Sequence, residues 1–229
     1  MKISTIFFTD FKFRVREEYL INKFNSYGFN NVIPYRKEWL DKTQFYQENR
    51  EILDQPRGCG YWLWKPYIIL ETMKNLEYND CVFYTDAGDE IIDNVYSIIY
   101  DYMLNHDYIL SNFLENDRFS NKVYTKRDCF ILMNCDEAKY HNIRMVEAGT
   151  IVFKKTEFII NLLNEWINYG RNKYIITDTP NTLGDNLPGF FDHRHDQSIL
   201  ANLTAKYDME FVHILLPHIQ YNFFGQNLK

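Results

Sequence analysis

Short runs rich in apolar residues alternate along this chain with stretches in which apolar residues recur every third or fourth position. Residues 2–8 (KISTIFF) form the first such run and predict a buried strand. Residues 11–27 have helical spacing and stop at Gly28, a residue suited to the position just past a helix. A short second strand is predicted over 31–35, and partial helix over 38–53, where aromatics are scattered among polar residues. The breakers of 56–60 (PRGCG) mark a loop. Pro66 then opens a helix over 66–75, since a proline in the first turn gives up no hydrogen bond.

A central strand follows at 81–85, a helix at 94–104 and a strand at 108–112. Further on, the pattern predicts a helix over 125–133 capped by Thr125, a strand over 147–154, and a helix over 156–169 ended by Gly170. Residues 174–191 have no period and contain Pro180, Gly184, Pro188 and Gly189. A helix at 196–205 and a last strand at 209–214 complete the series. Strands alternating with helices predict an α/β sandwich, and 229 residues predict a single domain over 1–229. A long aperiodic stretch such as 174–191 is of the kind that covers an active site.

Composition changes this picture little. Hydrophobic content of 46% and charged content of 24% are those of an ordinary globular protein, and a net charge of −6 argues against a nucleic-acid partner. None of the four cysteines, Cys59, Cys81, Cys129 and Cys135, forms a C-x-x-C pair, which points to a reduced, cytoplasmic protein. No segment approaches the ~20 apolar residues of a membrane span, so membrane contact is expected to be peripheral at most. The 18 Tyr, 18 Phe and 4 Trp suit a sugar-binding cleft and an ordinary core equally.

Candidate chemistry gathers at four places. The run from Cys81 to Glu90 (CVFYTDAGDE) ends in Asp86 and Asp89 on a glycine-containing turn. The C-terminal ends of strands are where open α/β sheets bind ligands, and two carboxylates there can hold a divalent cation that in turn holds a diphosphate. Aspartates that only bond their own turn backbone are the alternative. Lys65 stands at a helix start, a position that attracts anions, with Arg57 as a second cation nearby and Trp62 and Trp64 as flanks. The segment from Phe191 to Leu200 (FDHRHDQSIL) crowds ionisable groups before an apolar helix; Asp196 fits an N-cap, and His193 or His195 could complete a metal shell. Gly149, in Glu147 to Thr150 (EAGT), permits close approach by a ligand.

In this order the four segments resemble the GT-A glycosyltransferases. They are most similar to family 8, which includes glycogenin and bacterial galactosyltransferases. Lys65, Tyr84 to Asp89 (YTDAGD), Glu147 to Ile151 (EAGTI) and Asp196 to Leu200 (DQSIL) match that family's basic helix residue, D-x-D, N-[AS]-G-V and D-Q-x-x-L. Leu216 to Phe223 (LPHIQYNF) is similar to its L-P-x-x-Y-N, and GYWLWKP with HRHDQSI resembles transferase-like proteins of bacteria and large viruses. The resemblance implies a GT-A fold, with a single Rossmann-like mixed sheet sandwiched by helices. It implies a nucleotide-sugar donor, most often UDP-linked, held by Thr9, Arg57, Lys65, Thr85, Asp86, Ala87 and Gly149. Asp196 and Gln197 would stand beside the reacting carbon, and Mn²⁺ or Mg²⁺ would be the cofactor. The second aspartate of D-x-D is replaced by Gly88, with Asp89 one place later, and H-x-x-G-x-x-K has no counterpart. Asp89, His193 and His195 are therefore the candidates to join Asp86 as metal ligands.

The expected activity is transfer of a hexose to a hydroxyl acceptor such as a glycan. Two alternatives stand beside it. A haloacid-type phosphatase would want a second aspartate where Gly88 stands. A carbohydrate-binding module would use the aromatics alone and has no need of the polar cluster from Asp192 to Gln197.

Overall fold

Seven strands and five longer helices appear among the described residues, 1–113 and 119–221 of the computed structural model. The strands are β1 (Ile3–Thr9), β2 (Asn31–Arg36), β3 (Cys81–Thr85), β4 (Glu90–Ile91), β5 (Tyr108–Asn112), β6 (Val146–Lys154) and β7 (Ile219–Gln220). The helices are α1 (Glu17–Ser26), α2 (Trp64–Lys74), α3 (Tyr96–Met103), α4 (Glu157–Gly170) and α5 (Asp196–Lys206). Short helical turns join them, including those expected within 38–53.

Five strands make one mixed sheet in the order β2-β1-β3-β6-β5. Strand β1 runs parallel to both β2 and β3, whereas β6 runs antiparallel to both β3 and β5. Successive side chains on a strand face opposite ways, and both faces here are covered. Ile6, Phe8, Val82, Tyr84, Ile151 and Phe153 pack with Ile68 of α2, Leu163 and Trp166 of α4, and Leu200 of α5. Phe7, Cys81, Phe83 and Val152 pack the other way, against Leu20 and Phe24 of α1 and Ile99 and Met103 of α3. The sheet is thus sandwiched by helices, as expected. All four cysteines are free thiols, and no helix among the described residues is long and apolar enough to cross a membrane.

Three local expectations need correction. The first helix starts at Glu17, not near residue 11, after a separate turn at Arg14–Arg16. Thr125 is not an N-cap: it ends the turn Asn121–Tyr124, its hydroxyl donates to Asn121 Oδ1, and the next helical turn begins at Arg127. Residues 209–214 form no strand. Val212 N–H donates to Leu110 O at 2.8 Å and Ser111 Oγ donates to Val212 O at 2.7 Å, two contacts along β5 rather than a ladder. The pairing instead falls later, where β7 runs antiparallel to β4. Of the L-P-x-x-Y-N match, Asn222 and Phe223 lie outside the described residues.

Candidate active site

Because β6 is antiparallel to β3, the first residues of β6 lie beside the last residues of β3, with Thr85 opposite Thr150. The chain leaves β3 through Asp86, whose N–H donates to Gly149 O at 2.7 Å, and Asp89 N–H closes the turn on Asp86 O at 3.0 Å. A methyl group added at Gly149 would lie 2.7 Å from Glu147 Oε1, 2.8 Å from Asp89 Oδ2 and 3.4 Å from Asp86 Oδ2. Three carboxylates therefore converge on a point that only glycine leaves open. Glu147 is fixed there by its own strand, accepting from Gly149 N–H at 2.6 Å and Thr150 N–H at 3.1 Å.

Lys65 enters this acidic corner from the first turn of α2. The residue is only 3% exposed. Its Nζ donates to Ala148 O at 2.9 Å and stands 3.2 Å from Asp196 Oδ2 and 3.4 Å from Asp86 Oδ1. Tyr84 lies under the ammonium at 5.1 Å and donates its hydroxyl to Asp86. Asp196 is thus the first residue of α5 and an ion-pair partner, not the N-cap; His195 holds that position.

Burial opposes the charge of Lys65, but the carboxylates of Asp196 and Asp86 outweigh it and hold the ammonium above the usual lysine range. Burial pushes Asp196 up to about 6 against the pull of Lys65, and pushes Glu147 up to about 7 against the Gly149 N–H. Asp86, Glu147 and Asp196 share this one buried lysine, and Asp89 stands beside them at Gly149, so the corner carries an excess of negative charge once its carboxyls ionise.

The two histidines differ. His193 is buried; its Nε2 meets Ile175 O at 2.8 Å and its Nδ1 accepts from Lys126 N–H at 3.3 Å. Both ring nitrogens are occupied by backbone, so the expectation of His193 as a metal ligand is corrected: it ties the late loop to its neighbours. His195 uses Nδ1 on Ile176 O at 2.7 Å, and its Nε2 is buried with no hydrogen-bond partner among the described residues. Its ring lies 4.8 Å from that of Tyr61 and 5.7 Å from that of Trp62. Trp62 belongs to a turn in which every residue from Gly58 to Trp62 has a positive φ, between 53° and 96°. A left-handed conformation costs roughly 1–2 kcal/mol at each residue bearing a Cβ. The glycines relieve two positions, and at Gly58 a Cβ would stand 2.3 Å from the Trp62 ring.

A cleft of about 190 Å³ joins these groups, lined by Arg57, Trp62, Lys65, Asp86, Glu147, Ala148, Gly149, Arg194, His195, Asp196 and Gln197. Seven of the expected residues meet here: Arg57, Lys65, Asp86, Gly149, His195, Asp196 and Gln197. Arg57 pairs with Asp178 at 3.1 Å and Asp192 at 3.2 Å, and Gln197 donates to Val146 O at 2.6 Å. Three donor-binding candidates stand elsewhere. Thr9 is buried and donates to Glu17 at 3.0 Å, Ala87 packs into the core beneath the turn, and Thr85 is buried behind the corner. Glu147, Trp62 and Arg194 are lining residues to which the sequence reading gave no role. For Glu147 spacing along the strand carried no signal, since its place beside the acidic turn follows from β6 running antiparallel to β3. A larger hollow, about 450 Å³, is lined by Glu48, Glu51, Arg171, Lys173 and neighbours, and it holds none of the expected residues.

The donor set at the corner suits a hard cation, being made of carboxylate oxygens. Asp86 and Asp89 each place an oxygen within 3.4 Å of the same open point at Gly149. Among the described residues no three of His, Cys, Asp and Glu are grouped so as to hold a metal by themselves. Asp86 and Asp89 are the residues there that could hold a Mn²⁺ or Mg²⁺ ion.

No protein-family model matches the chain, and no curated protein matches it. Solved structures of similar fold include the bifunctional glycosyltransferase WbbM, at 11% identity and a TM-score of 0.49 over 88% of this chain. Mouse xyloside xylosyltransferase 1 is 10% identical, with a TM-score of 0.47 over 92% of this chain and 71% of its own. The galactosyltransferase LgtC, solved with donor and acceptor sugar analogues, is 13% identical, with a TM-score of 0.42 over 89% of this chain and 70% of its own. The chain spans 37% of the length of WbbM.

Proposed function

We propose that the cleft transfers a hexose from a nucleoside diphosphate-sugar, UDP-linked in the first instance, to a hydroxyl acceptor. One observation carries the reading: Lys65 ties the acidic turn after β3 to the head of α5, within 3.4 Å of Asp86 and 3.2 Å of Asp196. Two sequence segments far apart in the chain thereby share one cleft, with the open point at Gly149 between carboxylates. That arrangement fixes one place where a cation joining the carboxylates would stabilise the departure of a nucleoside diphosphate.

An acidic corner would repel a diphosphate unless a cation joined it. Asp86 and Asp89 are the residues proposed to hold Mn²⁺ or Mg²⁺, which when bound would neutralise charge on the leaving diphosphate. Lys65 is already protonated and positioned, so it orients Asp86 and Asp196 whether or not the donor is present. Arg57 and Arg194 add positive charge to the cleft lining. Asp196 is the proposed base toward an acceptor hydroxyl if the reaction inverts, and Asp196 or Gln197 faces the β-side of the sugar if it retains. With its carboxyl titrating near 6, Asp196 is mostly ionised at neutral pH.

A thermal-shift screen of nucleoside diphosphate-sugars with Mn²⁺ tests the reading. A ligand at ~100 times its Kd adds ~2.7 kcal/mol of apparent stability. The expected outcome is a rise in melting temperature with one or a few donors, followed by sugar transfer from those donors. A flat response across UDP-, GDP-, ADP- and dTDP-sugars would remove the proposal.

A further inference from the structure

His195 is held in a costly way by its surroundings. It is 1% exposed, its backbone sits at φ 54° and ψ −116°, and its ring lies against Trp62 and Tyr61. Such a backbone at a residue bearing a Cβ is maintained only where neighbours over-determine it. Its Nδ1 lies 2.7 Å from Ile176 O, a pure acceptor, so Nδ1 carries the proton and Nε2 presents a bare lone pair. That Nε2 is buried without a partner among the described residues, on a residue that lines the cleft. A buried acceptor left unmatched costs about 1–3 kcal/mol, so the site is completed by something that donates.

The nearest acidic atom is Asp178 Oδ1, 3.8 Å from Nε2. The other oxygen of Asp178 is engaged by Arg57 at 3.1 Å, and Tyr61 also hydrogen-bonds this carboxylate. A carboxylate oxygen has room for a second donor. Burial pushes the His195 imidazole down to about 3, so at neutral pH the two facing atoms are both acceptors and do not bond each other. Each is left to accept a donor approaching from beside the pair.

We propose that His195 Nε2 and Asp178 Oδ1 together read a vicinal diol on a sugar ring, each accepting one O–H, with Trp62 beside them as an apolar plate. His195 is then a specificity-determining residue. Water can also supply two donors, but only a sugar adds a ring face for the indole to cover. The proposal deepens the sugar-transfer reading and rests on it for one point alone, which molecule carries the diol.

Calorimetric titration separates the cases. The ligands are UDP, UDP-glucose, UDP-galactose, and methyl glucoside and methyl galactoside added with and without UDP. The proteins are the wild type, His195→Phe, His195→Gln and Asp178→Ala. The last substitution lies in a partly exposed side chain and guards against a folding defect in the first. His195→Phe and Asp178→Ala are each expected to weaken the sugar-bearing ligand roughly tenfold while leaving UDP within about twofold. His195→Gln, which keeps an acceptor oxygen, is expected to recover part of the loss. A loss confined to UDP-sugars places the diol on the donor, and one confined to methyl glycosides places it on the acceptor.

Equal sugar affinity in wild type, His195→Phe and Asp178→Ala overturns the proposal. So does a parallel fall in UDP affinity, and so does failure of the wild type to bind any of the sugars. Should UDP not bind while a glycoside binds in a His195-dependent way, the transferase reading falls and the diol site stands.

Discussion

Lys65 Nζ stands 3.2 Å from Asp196 Oδ2, joining the first turn of α2 to the first residue of α5 across the end of the sheet. Both groups are buried; Lys65 also meets Asp86 at 3.4 Å, whereas Lys65 is the one cation paired with Asp196 among the described residues. Removing one member of a buried ion pair strands the other. Lys65→Met is therefore expected to cost about 3 kcal/mol at pH 8, and less at pH 5, where Asp196 can take a proton. Chemical denaturation at the two pH values checks this, and an equal loss at both would contradict the pairing.

Gly149→Ala places a methyl group among the oxygens of Glu147, Asp89 and Asp86. Those are side-chain ends and can move, so the fold is expected to survive with a loss of roughly 1–2 kcal/mol, at the mild end of overpacking. The site is expected to lose more. Displaced carboxylates no longer share one point, and Mn²⁺-dependent nucleotide affinity should fall at least tenfold. Paired melting and binding measurements on this variant separate the two effects.

Glu147 gives a pH dependence with a definite sign. Burial raises its carboxyl from 4.5 to about 7 in the fold. A raised pKa means the folded state holds this proton more tightly than the unfolded state. Its contribution is complete below about 4.5 and is lost as pH climbs through about 7. Asp196, raised from 3.8 to about 6, acts in the same direction over a lower window. Glu147→Gln cannot ionise, so the stability of this variant relative to wild type should rise between pH 5 and pH 8, by up to ~3 kcal/mol. Added Mn²⁺ should narrow the difference by stabilising the ionised wild type. A pH-independent difference would show that Glu147 is not held in the buried, acid-crowded setting described here.

Much of this architecture was legible in the chain, for physical reasons specific to each element. The strands at Ile3–Thr9, Cys81–Thr85 and Val146–Lys154 are buried on both faces, so in each of them apolar residues occupy adjacent positions instead of strictly alternating with polar ones. The helix Glu157–Gly170 announces both ends, since Thr156 caps it by accepting from Ile159 N–H at 3.3 Å. Residues 209–214 misled because an apolar stretch beside an edge strand has the same pattern whether or not it completes a ladder. At the site, Lys65, Asp86, Gly149, Asp196 and Gln197 were visible as motif positions. The separate fates of His193 and His195 were not, because they depend on which backbone carbonyl each ring meets. Glu147 was hidden for a similar reason: its role follows from the antiparallel placement of β6, which spacing along one strand cannot reveal.

The most direct test of the central claim, that the acidic turn and the head of α5 form one diphosphate-accepting cleft, is calorimetric titration of UDP into wild type and Asp86→Ala, with and without Mn²⁺. The account predicts saturable binding to the wild type that strengthens with Mn²⁺, and at least tenfold weaker, Mn²⁺-insensitive binding to Asp86→Ala. Absence of binding to the wild type under both conditions, or identical Mn²⁺-dependent binding to the two proteins, would contradict it.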